Sequence, residues 1–166
     1  MKNIVITGSS NGFGKLTALT MARKGHKVWA TMRSANEKNL KAKEELLSIA
    51  SAEGLKINVL ELDVTIDASV HTAIENIIAV DGSIDVLVNN AGVMYVGITE
   101  AYSLQQAQAQ FDVNFFGIIR VTNAVLPHMR NAKSGQIIYV SSLAGRLSIP
   151  YFGIYCASKH AVEAYS

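Results

Sequence analysis

Short runs of β-branched and aliphatic residues alternate along the chain with longer stretches of helical character, the pattern of βαβ units building a parallel sheet. Strands are expected at Asn3–Thr7, Lys27–Thr31, Lys56–Leu62, Ile84–Asn89 and Gln136–Ser141. Their hydrophobicity is continuous rather than alternating, which suits a sheet covered by helices on both faces. Helices are expected over Gly12–Lys24, Glu37–Glu53, Ile66–Val80 and Gln106–Asn131, with another starting near Gly153. Gly25 is a natural stop for the first of them. Pro127 falls inside the long fourth helix and removes one backbone donor, so a kink or an early end is expected there. No internal repeat, low-complexity tract or linker interrupts the pattern. The expected organisation is therefore one domain over residues 1–166 of the α/β class, a doubly wound parallel sheet.

Composition narrows the partners. The chain is 49% hydrophobic, ample for a core. Its 15 basic and 13 acidic residues give a formal charge of +2, and the basic side chains are scattered, so no nucleic-acid surface is expected. Cys156 is the only cysteine, which rules out an internal disulfide and fits a reducing compartment, the cytoplasm. The first apolar run reaches Gly8 after three residues, too few for a signal-peptide core. No run approaches the roughly 20 apolar residues of a membrane span. His26, His71, His128 and His160 are dispersed, none with Cys, Asp or Glu at zinc-site spacing, and no metal is expected. Cys156 adjoins Tyr155, but consecutive helical side chains diverge by about 100°, so the thiol reads as core rather than nucleophile.

The first expected strand runs straight into Thr7-Gly8-Ser9-Ser10-Asn11-Gly12-Phe13-Gly14 and then into a helix. Free backbone N–H groups and the positive end of a helix dipole meet there, which makes an anion site. The glycines let a pyrophosphate approach the backbone where a Cβ would obstruct it. Their spacing is G-x-x-x-G-x-G, not the G-x-G-x-x-G of the general dinucleotide fingerprint. After the second strand, Met32 cannot accept hydrogen bonds from a ribose 2′-OH pair, whereas Arg33 can pair a 2′-phosphate, a choice that favours NADP over NAD. Taken alone, Arg33 also reads as a solvated surface cation, Asp63 as a helix cap and Ser142 as a turn former. Farther along, Tyr155 and Lys159 stand four residues apart; on a helix that step brings the Cβ atoms to about 5–6 Å. An adjacent ammonium favours the phenolate of a tyrosine and readies it for proton exchange.

The order of these motifs resembles the short-chain dehydrogenase/reductase (SDR) family, a Rossmann-like fold, over essentially the whole chain from Thr7 to Lys159. The resemblance implies that Gly8, Ser10, Asn11, Gly12, Phe13 and Gly14 surround the cofactor, Phe13 standing where the family more often has an aliphatic residue. It implies that Arg33, with Ser10, meets the 2′-phosphate of NADP(H), and that Asp63 and Val64 lie against the adenine. Asn90, Ala91 and Gly92, from Asn89-Asn90-Ala91-Gly92, are implied beside the cofactor at the end of the fourth strand. The implied catalytic set is Tyr155 as acid–base, Lys159 as its electrostatic partner and ribose ligand, Ser142 orienting the substrate oxygen, and Asn114 holding a water linked to the lysine.

The activity so implied is hydride transfer between NADP(H) and a small-molecule carbonyl or secondary alcohol. Leu143 to Ile154, with Leu147, Ile149, Tyr151 and Phe152, would form one wall for an apolar guest. The family uses the long helix containing Asn114 for subunit association, which implies a homo-oligomer. Family chains usually continue through further strands and a substrate loop, which are not expected within these residues. A nucleotide-binding module or fragment without turnover therefore stands as the alternative.

Overall fold

A computed structural model describes residues 1–166. Five parallel strands, β1 (Asn3–Ile6), β2 (Lys27–Met32), β3 (Ile57–Glu61), β4 (Val86–Asn89) and β5 (Gln136–Tyr139), form one sheet in the order β3-β2-β1-β4-β5. Between them run α1 (Gly12–Arg23), α2 (Leu40–Glu53), α3 (Asp67–Asp81), α4 (Leu104–Phe111) and α5 (Gly117–Ala132), and α6 (Gly153–Tyr165) follows β5. The chain winds outward in both directions from β1, so the loops after β1 and β4 part and leave a crevice at the carboxyl ends of the strands.

The register explains the continuous hydrophobicity. Ile4 and Ile6 lie opposite Val28 and Ala30 of β2, and their side of the sheet packs on Ala18, Leu19 and Ala22 of α1 and on Leu46 and Ala50 of α2. Val5, Trp29 and Leu87 point the other way, onto Val70, Ile74 and Ile77 of α3 and Val121 and Val125 of α5. Alternate residues feed two separate cores, so the buried positions of the central strands are apolar on both sides except where Thr31 and Asn89 approach their carboxyl ends, each buried and hydrogen-bonded.

Three expectations need correction. The sheet is not buried on both faces throughout: in β5, Gln136 and Ile138 are exposed, because this edge strand pairs only with β4 and has no helix over that side. The second long helix begins at Leu40 rather than Glu37, after a chain of turns that starts with Ser34 in the left-handed region. The expected Gln106–Asn131 helix starts earlier, at a capping box in which Ser103 Oγ accepts from Gln106 N and Gln106 Oε1 accepts from Ser103 N. It is interrupted by a π-helical turn at Asp112–Phe116, not at Pro127. Pro127 lies on the exposed side of α5, where water can satisfy the carbonyl that it leaves unpaired, and the helix runs on to Ala132.

No helix is long and apolar enough to cross a membrane.

Candidate active site

The loop after β1 is tied to the loop after β4 by side chains of both. Thr7 Oγ1 accepts from the backbone N–H groups of Asn90 and Ala91, each at 3.0 Å. Asn90 Nδ2 donates to the carbonyls of Thr7 at 2.8 Å and Gly8 at 3.1 Å. Asn90 borders the crevice as expected, but its amide is committed to the loop. Gly14 is packed so closely that a Cβ would lie 2.3 Å from Gly8 O and 2.5 Å from Asn90 Nδ2. At the start of α1, Asn11 makes no side-chain cap and the first turn contains no acid. Its N–H groups and positive dipole end are thus left to an external anion.

From this loop a cleft of about 540 Å3 extends toward the ends of β2 and β3. All of Gly8, Ser10, Asn11, Gly12, Phe13, Gly14, Arg33, Asp63, Val64, Asn90, Ala91 and Gly92 line it. Asp63 serves as a turn former as well, its Oδ1 accepting from Thr65 N at 2.9 Å and Thr65 Oγ1 at 2.7 Å. Lys38 and Asn39 also line the cleft and were missed in the sequence. Their segment reads as helix, whereas Asn39 Nδ2 donates to Arg33 O at 2.7 Å and folds the 33–39 turn back on itself. No carboxylate pairs with either Arg33 or Lys38.

At the other end, α6 presents Tyr155 and Lys159. Lys159 Nζ lies 5.9 Å from the centroid of the Tyr155 ring and donates to Val140 O at 2.8 Å. Lys159 is only 5% exposed, and burial pushes its ammonium below the ordinary lysine range. A Cβ at Gly92 would stand 3.4 Å from Asn114 Oδ1 and 3.9 Å from Lys159 Nζ, so the cleft and the α6 groups share this wall. Asn114 sits in the π turn, fully buried. Its Oδ1 accepts from Val93 N at 2.8 Å, and its Nδ2 donates to Val93 O at 2.9 Å and Ser158 Oγ at 3.0 Å. Both amide protons are therefore taken by protein groups, and one lone pair on Oδ1 remains. Ser158, another residue missed in the sequence, donates in turn to Tyr155 O at 2.8 Å and couples the π turn to α6.

Ser142 caps the short 3-10 turn Leu143–Gly145, its Oγ accepting from Ala144 N at 3.2 Å. This turn is clamped to α6 by Arg146, which donates to Glu163 Oε2 from Nε at 3.1 Å and Nη2 at 2.8 Å. The neighbouring Ser141 hydroxyl, then Arg146, hold the Glu163 carboxyl below the ordinary range, although Ser141 Oγ itself makes no hydrogen bond of full geometry.

The burial of Lys159 has a testable consequence for stability. A folded-state pKa depressed below 10.5 means that the folded chain binds fewer protons than the unfolded one between the two values. The contribution to stability is present above 10.5 and lost as pH falls through the folded value. At neutral pH the buried ammonium thus opposes folding. Lys159→Met is expected to raise the thermal midpoint at pH 7, with the difference shrinking as pH rises toward 10.5 in a melting series.

The parallel sheet, the glycine loop and the crevice at the strand ends are those of a Rossmann-like α/β fold, and the comparison with known proteins agrees. The family model for short chain dehydrogenases matches residues 2–166, and the chain belongs to this family. It is 43% identical over 163 residues to a 3-ketodihydrosphingosine reductase of Bacteroides thetaiotaomicron, an alignment that covers 98% of this chain and 55% of that protein. Retinol dehydrogenase 8 of Homo sapiens is 38% identical over 169 residues, covering 99% of this chain and 51% of that protein. Among solved structures, a gluconate 5-dehydrogenase from Burkholderia cenocepacia in complex with NADP and tartrate superposes with a TM-score of 0.89 at 30% identity. That match covers 99% of this chain and 62% of the other. The chain spans about half the length of the relatives it matches.

Proposed function

We propose that this chain carries the NADP(H)-linked interconversion of an apolar ketone and the corresponding secondary alcohol. The reading rests on the convergence of Asn114 Oδ1 and Lys159 Nζ at Gly92, which joins the glycine-loop cleft to the Tyr155 helix. The residues fit a dinucleotide: the first turn of α1 offers N–H groups with no competing acid or cap, and the close packing at Gly14 keeps the loop flush. Arg33 and Lys38, with Ser10, would hold the 2′-phosphate, and Asp63 and Val64 would border the adenine.

A bound nicotinamide supplies the hydride or takes it up. Ser142 already accepts from Ala144, so its own hydroxyl proton is free to be donated to the substrate oxygen, orienting and polarising it. Tyr155 gives its phenolic proton to that oxygen in reduction and takes it back in oxidation. The Lys159 ammonium stabilises the phenolate left behind. The remaining lone pair of Asn114 Oδ1 can hold a water shared with Lys159, a route by which the proton is replaced.

The exposed Met94, Val96, Leu143, Leu147 and Tyr151, on segments adjoining Gly92 and Ser142, support an apolar guest. So do the names of two relatives, a 3-ketodihydrosphingosine reductase and a retinol dehydrogenase. Exposed Leu104 and Phe116 on α4 and the π turn support the pairing of two copies along this helix. The openness of the apolar side favours a second reading, a nucleotide-binding module without turnover. Fluorescence titration with NADPH beside a ketone-reduction assay separates the two, since binding without turnover leaves only the second.

For the 2′-phosphate, Arg33→Ala and Lys38→Ala are each expected to weaken NADPH binding by about tenfold or more and to leave NADH binding unchanged. Unchanged NADPH affinity in both variants sinks the assignment.

A further inference from the structure

We propose that Gln110 is a positioning residue for the substrate side of the cleft, holding the segment Val93–Ile98 through its side-chain amide. The proposal rests on the reading of the site as an NADP(H)-linked ketone site. Gln110 is four residues before Asn114 and, like it, wholly buried. The two amides grip alternate backbone groups of one segment: Asn114 Oδ1 accepts from Val93 N at 2.8 Å, and Gln110 Oε1 accepts from Tyr95 N at 2.6 Å. The spacing has a simple basis. Four residues of helix rise about 6 Å, and two residues of extended chain about 6.6 Å, so side chains at i and i−4 meet N–H groups at j and j+2 of a segment running the opposite way.

The gripped segment carries Met94 and Val96, both exposed, and it touches the far wall of the mouth through Gly97 N donating to Tyr151 O at 2.9 Å. Its placement therefore sets the gap between that wall and the residues after Gly92. Gln110 Nε2 is buried without an acceptor, an unfavourable state for an amide, and an apolar side chain would remove that burden only by leaving Tyr95 N without its partner. What the glutamine supplies is the acceptor for Tyr95 N.

The test compares Gln110→Met, which keeps the side-chain length and removes the acceptor, with Gln110→Glu, which keeps it. In Gln110→Met, amide exchange over Val93–Ile98 is expected to accelerate about tenfold or more while the sheet stays protected. KM for an apolar ketone is expected to rise about five- to tenfold, with kcat and the NADPH dissociation constant within about twofold of wild type. Gln110→Glu should restore protection and KM, and add an ionisation to the pH profile of KM that the wild type lacks. Unchanged protection of Val93–Ile98 in Gln110→Met, an equal loss across the sheet, or no rescue by Gln110→Glu overturns the proposal. Should Gln110→Met fail to fold, Tyr95→Pro deletes the donated N–H from the other side and must give the same local loss; unchanged protection there also overturns it. A wild-type chain that binds NADPH and reduces no ketone refutes the reading of the site, while the exchange comparison still decides the role of Gln110.

Discussion

Tyr155→Phe is expected to lower kcat for ketone reduction by about 10²–10⁴-fold, the usual contribution of a positioned acid–base group. The NADPH dissociation constant and the thermal midpoint should barely move. The reason lies in what the substitution spares. The phenol ring keeps its edge-on packing against Phe152, with centroids 6.3 Å apart, and its place under Lys159 Nζ at 5.9 Å. No protein group bonds to the Tyr155 hydroxyl, so its removal leaves no partner unpaired. Steady-state kinetics and a cofactor titration on the same preparation check this. A Tyr155→Phe variant with near-normal turnover refutes the assignment, and one that no longer binds NADPH means that the tyrosine acts through the fold instead.

Gly14→Ala is expected to damage both binding and stability. The added Cβ falls 2.3 Å from Gly8 O and 2.5 Å from Asn90 Nδ2, and the first of these is backbone that cannot swing aside. The glycine loop must lift from α1, breaking the Asn90 bonds to Thr7 and Gly8 that set its shape. Overpacking of this kind destabilises by about 1–3 kcal/mol, and NADPH affinity should fall by at least about tenfold as the cradle opens. Gly82→Asn, at the C-terminal end of α3 and outside the cleft, is the control. Gly82 has a φ of +73° but nothing within 4 Å of a Cβ, so the variant meets only a conformational penalty that asparagine tolerates. Calorimetry and fluorescence titration of the two variants should separate clearly; equal losses mean that close packing at Gly14 is not what matters.

The helices and strands of this fold were largely legible in the chain because the two-core arrangement leaves a direct trace. Alternate residues such as Ile4 and Val5 enter opposite cores, and the strand becomes continuously apolar. Where that constraint lapses, the reading lapsed too. Edge strand β5 keeps Ile138 exposed although its sequence resembles that of a covered strand. The π turn at Asp112–Phe116 left no mark, because it changes which carbonyl each N–H meets without changing the apolar period enough to notice. Pro127 left a strong mark that proved misleading, since its missing donor matters little on an exposed helix face.

Local chemistry was written in contiguous residues: a strand, a glycine turn and a helix make an anion site by backbone geometry alone, and Tyr155 and Lys159 become neighbours through the helical repeat. Contacts between distant segments obey no such repeat. The 33–39 turn that places Lys38 beside the cleft is folded by bonds from Asn39 to Arg33 O and Ser34 O, and it is tied to the distant β3 by Asn36 Nδ2 donating to Glu61 Oε2 at 3.4 Å. The meeting of Asn114 and Lys159 at Gly92 depends on how α6 and the π turn pack across the end of β4. Gln110 reads as one more polar residue on a helix, and only the fold buries it and sets its Oε1 against Tyr95 N. Each of these rests on long-range packing, in which the position of one segment is determined by all the others rather than by its own residues.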